Sequence, residues 1–278
     1  MNPKTFKELE RAGWVAKACA YDDWFATITD QAIKPILDSF GDLAQRRLLD
    51  VATGTGHIAG AAAARGADSQ GIDFAAAMVE RAQSLHPGIA FRDGDAEQLP
   101  YADANFDAVT CGFGLLHMAH PEQAIREAGR VLKHGGRYTF TVWCSPEQGG
   151  QFFGLVSAAV QKHGTLNVPL PPAPPMFRFA DPAECGRVLT EAGFADSSLT
   201  VLPLTWRTPR AEDALELIYK SAVRMPMLLA AQSSEAREAI HRLILEEGEK
   251  LRIGSDIEFK DRKSTRLNSQ SRFGISYA

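Results

Sequence analysis

The sequence predicts a doubly wound α/β fold, with helices packed on both faces of a mostly parallel sheet. Between Arg46 and Trp143, short apolar or β-branched runs alternate with alanine-rich helical stretches. This βαβ order is typical of parallel strands joined by crossover helices. The strand runs are RRLLDV, QGID, IAFRD, FDAVTCG and GRYTFTVW, and the helical stretches are HIAGAAAARG, AAAMVERAQSL and PEQAIREAGRVLK.

Glycine and proline residues mark the ends of the predicted helices. Gly66 ends the first helix, and His86-Pro87-Gly88 ends the second. His134-Gly135-Gly136 closes the third helix before the fifth strand. Glycine is typical just after a helix because it adopts the left-handed conformation there without strain.

The segments on either side of this core predict helical additions. Aromatic and aliphatic residues at helical spacing from Leu9 to Ile28 indicate an N-terminal helical cap. The proline-dense VPLPPAPP cannot form a regular helix or a central strand, which indicates an inserted lid. Near the C-terminus we expect two helices separated near Met225-Pro226. The predicted division is 1–44 N-terminal helical cap, 45–145 α/β core, 146–180 lid insertion, 181–206 core helix and strand six, 207–258 helical cap, and 259–278 atypical tail.

Composition and charge exclude several classes of protein. Of 278 residues, 45% are apolar and 23% are charged, which is typical of a globular protein. The net charge of −4 offers no basic stripe to neutralise phosphates, so we expect no nucleic-acid partner. The four cysteines have no paired spacing, and no stretch is apolar enough for a signal peptide or a membrane span. We therefore expect a cytoplasmic protein.

A glycine-bearing turn follows the first strand, in the stretch LLDVATGTGHIA. Gly54 and Gly56 let the backbone approach a ligand closely, and the helix that begins at His57 offers free N–H groups. The stretch fits the dinucleotide pattern G-x-G-x-x-A, and it also fits a plain strand-to-helix turn. Asp50 is a poor neighbour for a pyrophosphate and a good one for an ammonium group. Asp73, after the second strand, can accept both hydroxyls of a ribose in either kind of ligand.

The loop after the third strand carries a second group of polar residues. Asp95 can accept a hydrogen bond from an adenine amine, while the backbone N–H of Ala96 donates to a ring nitrogen. An Asx turn that closes the loop is the alternative interpretation of Asp95.

Taken together, these motifs resemble the class I S-adenosylmethionine-dependent methyltransferases, and the quinone-biosynthesis and small-molecule group in particular. The resemblance covers residues 45–145 well and 180–206 more loosely. Ala52 stands where the wider family most often has glycine. The matching motifs are Asp50-x-Ala-x-Gly54-x-Gly56, Asp73, Asp95-Ala96, Phe106-Asp107-Ala-Val and Arg130-Val-Leu-Lys-His-Gly-Gly136.

This resemblance implies a cofactor, S-adenosylmethionine, and a small-molecule methyl acceptor. It implies that Asp50, Gly54 and Gly56 hold the methionine part, Asp73 the ribose, and Asp95 and Ala96 the adenine. Gly112 and Phe113 would flank the sulfonium. The implied cofactor-binding residues are Asp50, Ala52, Gly54, Gly56, Asp73, Phe74, Asp95, Ala96, Gly112 and Phe113.

His117 is the candidate general base, because histidine accepts protons at neutral pH. A base is needed only when the accepting atom carries a proton that must leave, and a plain polar residue at the start of a loop is the alternative. Trp143, Phe153 and Phe177 are candidates for an apolar acceptor pocket, together with Phe113, Phe152, Met176 and Trp206. His117 and His120 have a spacing seen in metal sites, but no third ligand is near, so we expect no metal.

The resemblance also implies a seven-stranded sheet of order 3-2-1-4-5-7-6, whose seventh strand is antiparallel. The residues that should supply this strand, Asp261 to Arg272, are polar and do not alternate, and they resemble a stretch found at the ends of unrelated assembled sequences. We expect a junction of non-native origin near Phe259 to Lys263, and a mobile segment over 261–272. Only FGISYA, 273–278, has the composition of a substitute strand.

Two other functions remain open from the sequence. One is a nicotinamide-dependent oxidoreductase that uses G-x-G-x-x-A, and the other is a non-catalytic protein that binds a nucleotide-bearing metabolite. The sequence names neither the acceptor nor the atom that receives the methyl group. It also leaves a homodimer open.

Overall fold

The computed structural model of the protein describes residues 5–271, with side chains up to residue 260. Five parallel strands form the centre of its sheet in the order β3-β2-β1-β4-β5, as predicted. These strands are β1 (Arg47–Val51), β2 (Asp68–Asp73), β3 (Ala90–Asp93), β4 (Phe106–Gly112) and β5 (Leu132–Trp143).

Helices cover both faces of this sheet. The helices are α1 (Phe6–Tyr21), α2 (Ala26–Thr29), α3 (Ile33–Asp38), α4 (His57–Ala64), α5 (Ala76–Leu85), α6 (Pro121–Val131), α7 (Gln151–His163), α8 (Pro182–Glu191), α9 (Asp213–Ser221), α10 (Arg224–Ala230) and α11 (Ser234–Glu249). Successive residues of a strand point to opposite faces, so Leu48 and Leu49 are both buried, but in different apolar clusters. The sheet is therefore the middle layer of three.

Two predicted boundaries were wrong. The third core helix ends at Val131 and β5 begins at Leu132, so His134-Gly135-Gly136 lies inside the strand. The β4–β5 register is irregular there, and Gly135 has a positive φ. Met225-Pro226 does not separate two helices but lies in the first turn of α10, where proline displaces no helical hydrogen bond.

Beyond β5 the sheet continues with antiparallel strands. The strand β6 (Ser198–Thr208) pairs with β8 (Asp256–Ser271), which also pairs with β5 and with the short strand β7 (Arg252–Ile253). The backbone of 261–271 therefore lies in the sheet between β5 and β6, within the segment that we expected to be mobile. Strand pairing uses backbone N–H and C=O groups, so a polar segment without alternation can pair between two open strands. The predicted strand at 273–278 lies outside the described residues.

The N-terminal cap and the lid cover the carboxyl ends of the parallel strands. A capping box starts α1, in which Thr5 and Glu8 each accept the other's backbone N–H. This helix packs against α5 and α9. The lid consists of α7 followed by an irregular segment up to Phe177. Among residues 5–271, no helix combines the length and the apolar character that a bilayer crossing requires.

A tight contact between α1 and the α9–α10 connection gives a first prediction. A Cβ atom at Gly13 would lie 2.3 Å from Cγ1 of Val223. We expect Gly13→Ala to lower the free energy of unfolding by about 1–3 kcal/mol through overpacking. In a Val223→Ala background the same change should cost less, because both Cγ atoms are gone and the nearest remaining contact is Cβ of residue 223 at 3.0 Å. Urea unfolding of the four proteins measures both effects.

Gly186 is the matched control, because it lies in α8 and an added Cβ would meet nothing within 4 Å. Gly186→Ala should therefore stabilise the protein by about 1 kcal/mol through helix propensity alone. Equal stabilisation by Gly13→Ala in both backgrounds would show that the contact with Val223 is not restrictive.

Candidate functional site

Two buried carboxylates hold the glycine-bearing turn between β1 and α4. Asp50 accepts a hydrogen bond from the Thr53 hydroxyl at 2.7 Å and a longer one from the Ala59 N–H at 3.3 Å. Asp73, at the end of β2, accepts hydrogen bonds from the N–H groups of Gly54 and Ala75, both at 2.9 Å. The turn is thus fixed from both neighbouring strands.

Asp50 lies beneath this turn rather than on its outer side. Its side chain is buried, and it does not line either of the two cavities described below. Its Oδ1 atom is buried without a hydrogen-bond partner among the described residues. Gly56 also lies away from the cavities, with a φ of 86°, where a Cβ would meet the ring of Phe91. Both residues shape the turn from behind, so direct contact with a ligand, as the resemblance implies, stays a prediction.

Burial changes the acidity of both carboxylates. It raises the pKa of Asp50 to about 7, and the charge of Asp73 adds to this effect. It also raises the pKa of Asp73 to about 6, although two backbone N–H groups act in the opposite direction. Two carboxylates so near each other and out of water are costly to ionise together. A cation placed at the turn would offset that cost.

Strained backbone lies at the carboxyl ends of β1 and β4. Ala52 and Phe113 both have a φ of 55°, a left-handed conformation that favours glycine. Gly114 follows Phe113, and a Cβ at Gly114 would come within 2.6 Å of Cβ of Ala52. The two strand ends are therefore packed too closely for a side chain at Gly114.

A small cavity beside the turn brings together the predicted ribose and adenine residues. Its lining includes Asp73, Phe74, Asp95 and Ala96. Asp95 accepts a hydrogen bond from the backbone N–H of Glu97 at 2.9 Å, so the Asx turn considered above is present. Lys7 of α1 forms ion pairs with both Asp95 and Glu97. An adenine amine would therefore share the Asp95 carboxylate with Lys7 and the N–H of Glu97.

A larger cavity of about 340 Å³ opens between the sheet, the cap and the lid. A row of aromatic rings follows one wall, with centroids 4.5 Å apart for Phe113 and Trp143, 5.1 Å for Trp143 and Phe153, and 6.0 Å for Phe153 and Phe177. The structure thus brings together the three predicted pocket residues. The lining also includes Ala52, Gly54, Asp73, Phe74, Gly112, His117 and Met176.

Two other aromatic candidates do not line this cavity. Phe152 and Trp206 pack against each other and against Phe259, with centroids 5.3 to 5.9 Å apart. Phe152 and Phe153 are adjacent in α7, so their side chains leave the helix in different directions. Phe152 and Trp206 therefore belong to the core beneath the cavity.

Sequence reasoning missed several residues of the cavity wall. Phe6, Glu10 and Trp14 follow one another at intervals of four along α1, and all three line the cavity. A charged residue on an otherwise apolar helical face is a feature that could have singled out Glu10. Arg224 also lines the cavity, with its guanidinium 5.3 Å from the centroid of the Phe6 ring.

His117 lies in a 3₁₀ turn just after β4, at the boundary between the two cavities. Its Nδ1 is 2.8 Å from Oε2 of Glu10, and its ring packs edge-on against Trp14 at 4.8 Å. His57, the first residue of α4, instead pairs with Asp30 at 2.6 Å. Within residues 5–271 no cluster of three histidine, cysteine or acidic side chains could hold a metal ion.

Comparison with known proteins relates this geometry to a family. Residues 49–140 match the family model described as a methyltransferase domain. The matched residues contain the glycine-bearing turn, Asp73, Asp95 and His117, so the resemblance predicted from the motifs is confirmed over this part of the chain.

Individual proteins are similar to this chain in sequence or in fold. A demethylmenaquinone methyltransferase of Renibacterium salmoninarum is 39% identical over 114 residues, which are 41% of this chain and 48% of that protein. The YcgJ protein of Bacillus subtilis has a similar structure, with a TM-score of 0.58, 20% identity, and coverage of 88% of this chain and 99% of that one. A phosphoethanolamine N-methyltransferase of Haemonchus contortus, in complex with S-adenosylhomocysteine, has a TM-score of 0.52 at 19% identity, covering 87% of this chain and 52% of that one. The chain spans about half the length of the curated relatives it matches.

The raised pKa of Asp50 predicts a pH dependence of stability. The carboxyl ionises near pH 4 in the unfolded chain, and its pKa is about 7 in the folded protein. The folded state therefore binds more protons in this window, so this group's contribution to stability falls as pH rises through it. We expect Asp50→Asn to gain thermal stability relative to the wild type as pH rises from about 5 to about 8.

Asp38→Asn is a control that should show no pH dependence in this range. Hydrogen bonds from Lys34 and Arg65 lower the pKa of the exposed Asp38, so its contribution is lost only as pH falls below about 4. Thermal unfolding of the three proteins across this pH range provides the measurement. A difference between Asp50→Asn and wild type that does not change with pH would contradict the raised pKa.

Proposed function

We propose that this protein transfers a methyl group from S-adenosylmethionine to an apolar small molecule. One observation carries the proposal: a glycine-bearing turn held by two buried carboxylates opens onto an aromatic-walled cavity, within a methyltransferase domain. A plain structural turn would not need an open space of about 340 Å³ beside it. The similarity to proteins named demethylmenaquinone methyltransferase supports transfer to an acceptor with apolar character.

The residues at the turn fit S-adenosylmethionine. A solved structure of similar fold is a complex with the related compound S-adenosylhomocysteine. A Cβ at Gly54 would meet nothing within 4 Å, so the turn presents bare backbone to open space. The unpartnered Oδ1 of Asp50 and the buried Asp73 concentrate negative charge there. S-adenosylmethionine carries two cationic groups, an ammonium and a sulfonium, which suit such a field.

The proposed roles follow the walls of the two cavities. Asp73 accepts the ribose hydroxyls, and Phe74, Asp95 and Ala96 surround the adenine. Ala52, Gly54 and Gly56 form the turn that receives the methionine part, with Asp50 beneath it. Gly112 and Phe113 lie beside the sulfonium, and the N–H of Phe113 is already bonded to the Thr141 hydroxyl at 3.0 Å.

When bound, S-adenosylmethionine supplies an activated methyl group: the acceptor atom bonds to its carbon while the carbon–sulfur bond breaks and sulfur keeps the electron pair. This chain contributes mainly alignment, which can supply much of the rate in such a displacement. Trp143, Phe153 and Phe177 form an apolar surface for the acceptor, and the lid limits access of water. His117 is the candidate proton acceptor.

Several features beyond the site belong to the same proposal. We propose that Asp256–Ser271 occupies the seventh position of a sheet ordered 3-2-1-4-5-7-6, whether or not the residues from 259 onward are native. We also propose that the chain divides into an N-terminal helical cap, an α/β core, a lid and a second helical cap. We also propose a cytoplasmic protein that binds no nucleic acid, with a homodimer as one form of assembly.

Ligand titration tests the proposed function directly. We expect S-adenosylhomocysteine to bind the full chain in calorimetry, and NADH at the same concentration to give no binding heat. The buried Asp50 beneath the turn disfavours a pyrophosphate. Binding of NADH alone would establish the oxidoreductase alternative, and tight binding of S-adenosylhomocysteine without methylation of any acceptor would establish a non-catalytic binding protein.

Asp73→Asn tests the role of the ribose residue. Loss of a charged acceptor should weaken S-adenosylhomocysteine binding about 10- to 100-fold, since hydrogen bonds to charged groups contribute about 1.5–3 kcal/mol. Asp68→Asn is the matched control, because Asp68 begins the same strand at its opposite, exposed end. A folded Asp73→Asn protein with unchanged affinity would remove Asp73 from the binding site.

A further inference from the structure

A buried carboxylate on the cap helix faces the catalytic side of the cavity. Only 1% of the Glu10 side chain is exposed. Its Oε2 lies 2.8 Å from Nδ1 of His117, and its Oε1 is buried with no hydrogen-bond partner among the described residues. A buried carboxylate with a single hydrogen bond is costly for a fold to keep. Packing alone therefore does not explain why this position holds a glutamate.

The surroundings of Glu10 would suit an apolar side chain. Phe6 and Trp14, one turn before and one turn after it on α1, line the same cavity. If α1 needed only an attachment to the core, its exposed pairs would serve, such as Arg11 with Asp93 at 3.1 Å. An exposed pair of this kind avoids the desolvation that Glu10 undergoes.

The contact with Glu10 orients the imidazole of His117. Beside a carboxylate, Nδ1 carries the proton and donates it, which leaves Nε2 as the accepting atom of the neutral ring. Nε2 makes no hydrogen bond to the described part of the chain, and His117 lines both cavities. The edge-on contact with Trp14 also fixes the plane of the ring. His117 is thus held with its accepting nitrogen free.

We propose that Glu10 is a positioning residue for His117, and that the pair selects an acceptor with an ionisable hydroxyl on an apolar ring, a phenol or an enol. This inference rests on the proposed function. The acceptor's O–H proton passes to Nε2 of His117, and the electron pair stays on the acceptor oxygen. The imidazolium that results lies against Glu10, which then gains the charged partner that its buried carboxylate lacks.

Arg224 provides a cation for an oxygen anion in the larger cavity. Its hydrogen bond to the carbonyl of Pro171 is long, at 3.3 Å. Glu10 and Asp73 are acidic groups of the same lining, and Asp73 is bonded to backbone N–H groups at the turn. An acceptor that becomes negative on losing its proton therefore meets the guanidinium of Arg224 in this wall.

The first experiment measures ionisation of a bound phenol rather than turnover. In the presence of S-adenosylhomocysteine, 4-nitrophenol is titrated into the full chain, and its visible absorbance reports the phenolate. We expect the wild type to bind a larger share of phenolate than solution holds at the same pH. Glu10→Gln and His117→Gln should each remove most of this excess. Arg11→Gln is the matched control, because it breaks a different α1 attachment, and it should keep the wild-type excess.

The second experiment separates positioning from folding. With 4-nitrophenol as acceptor, we expect Glu10→Gln to lower kcat about tenfold and His117→Gln about 100-fold, with the acceptor KM and the affinity for S-adenosylhomocysteine unchanged. Glu10→Asp should recover part of the rate, because it restores the charge. A purely structural role would instead change KM, cofactor affinity and thermal stability together.

The outcomes distinguish the inference from the proposed function. If the wild type does not bind S-adenosylhomocysteine, the proposed function fails. If it binds this ligand but 4-nitrophenol ionises equally in wild type, Glu10→Gln and Arg11→Gln, the inference is overturned and the proposed function stands. Methyl transfer to aromatic amines but not to phenols would also overturn the inference and leave the proposed function standing. If Glu10→Gln and His117→Gln lose the excess of bound phenolate and Arg11→Gln keeps it, the result supports the proposed roles of Glu10 and His117.

Discussion

The hold of Asp50 and Asp73 on one short turn is the constraint on which the rest of the site depends. Asp50 fixes the turn to the start of α4 through Thr53 and Ala59, and Asp73 fixes it to the end of β2 through Gly54. These carboxylates come from neighbouring parallel strands, so the sheet itself sets the distance between them. The bare backbone at Gly54 faces open space because both anchors lie behind or beside it.

The same arrangement has an electrostatic cost that connects stability to binding. Burial makes both carboxylates difficult to ionise, and the charge of Asp73 adds to this effect at Asp50, so the pKa values of both are raised. The left-handed backbone at Ala52 and Phe113 adds strain at the neighbouring strand ends. A ligand with cationic groups would stabilise the ionised carboxylates. Binding would therefore offset the electrostatic cost that these carboxylates impose on the free protein.

Local patterns predicted those parts of the fold that local forces determine. Apolar runs, the ends of α4 and α5, and the position of Asp73 at a strand end could be read directly, because each depends on residues close in sequence. Trp143, Phe153 and Phe177 were grouped as pocket residues, and the structure brings them together. Phe152 was grouped with them wrongly, because one step along α7 turns a side chain from the cavity to the core.

Other features depend on contacts between distant residues, which no local pattern contains. The role of Glu10 depends on a residue 107 positions away, and only its charge on an apolar helical face marked it out. The place of β8 depends on the open strands on either side of it, since its own residues lack alternation. The depth of Asp50 beneath the turn depends on how α4 starts. The sequence therefore located Asp50 at the end of a strand, but it did not show which way the side chain points.

The most direct test of this account is the number of protons exchanged when S-adenosylmethionine binds. Calorimetry near pH 7 in buffers of different ionisation enthalpy measures this number. If the cationic ligand ionises the buried carboxylates, binding releases protons from the wild type, and the release is smaller in Asp50→Asn. Binding without proton release, or the same release in Asp50→Asn as in wild type, would contradict the claim that these carboxylates create the binding site.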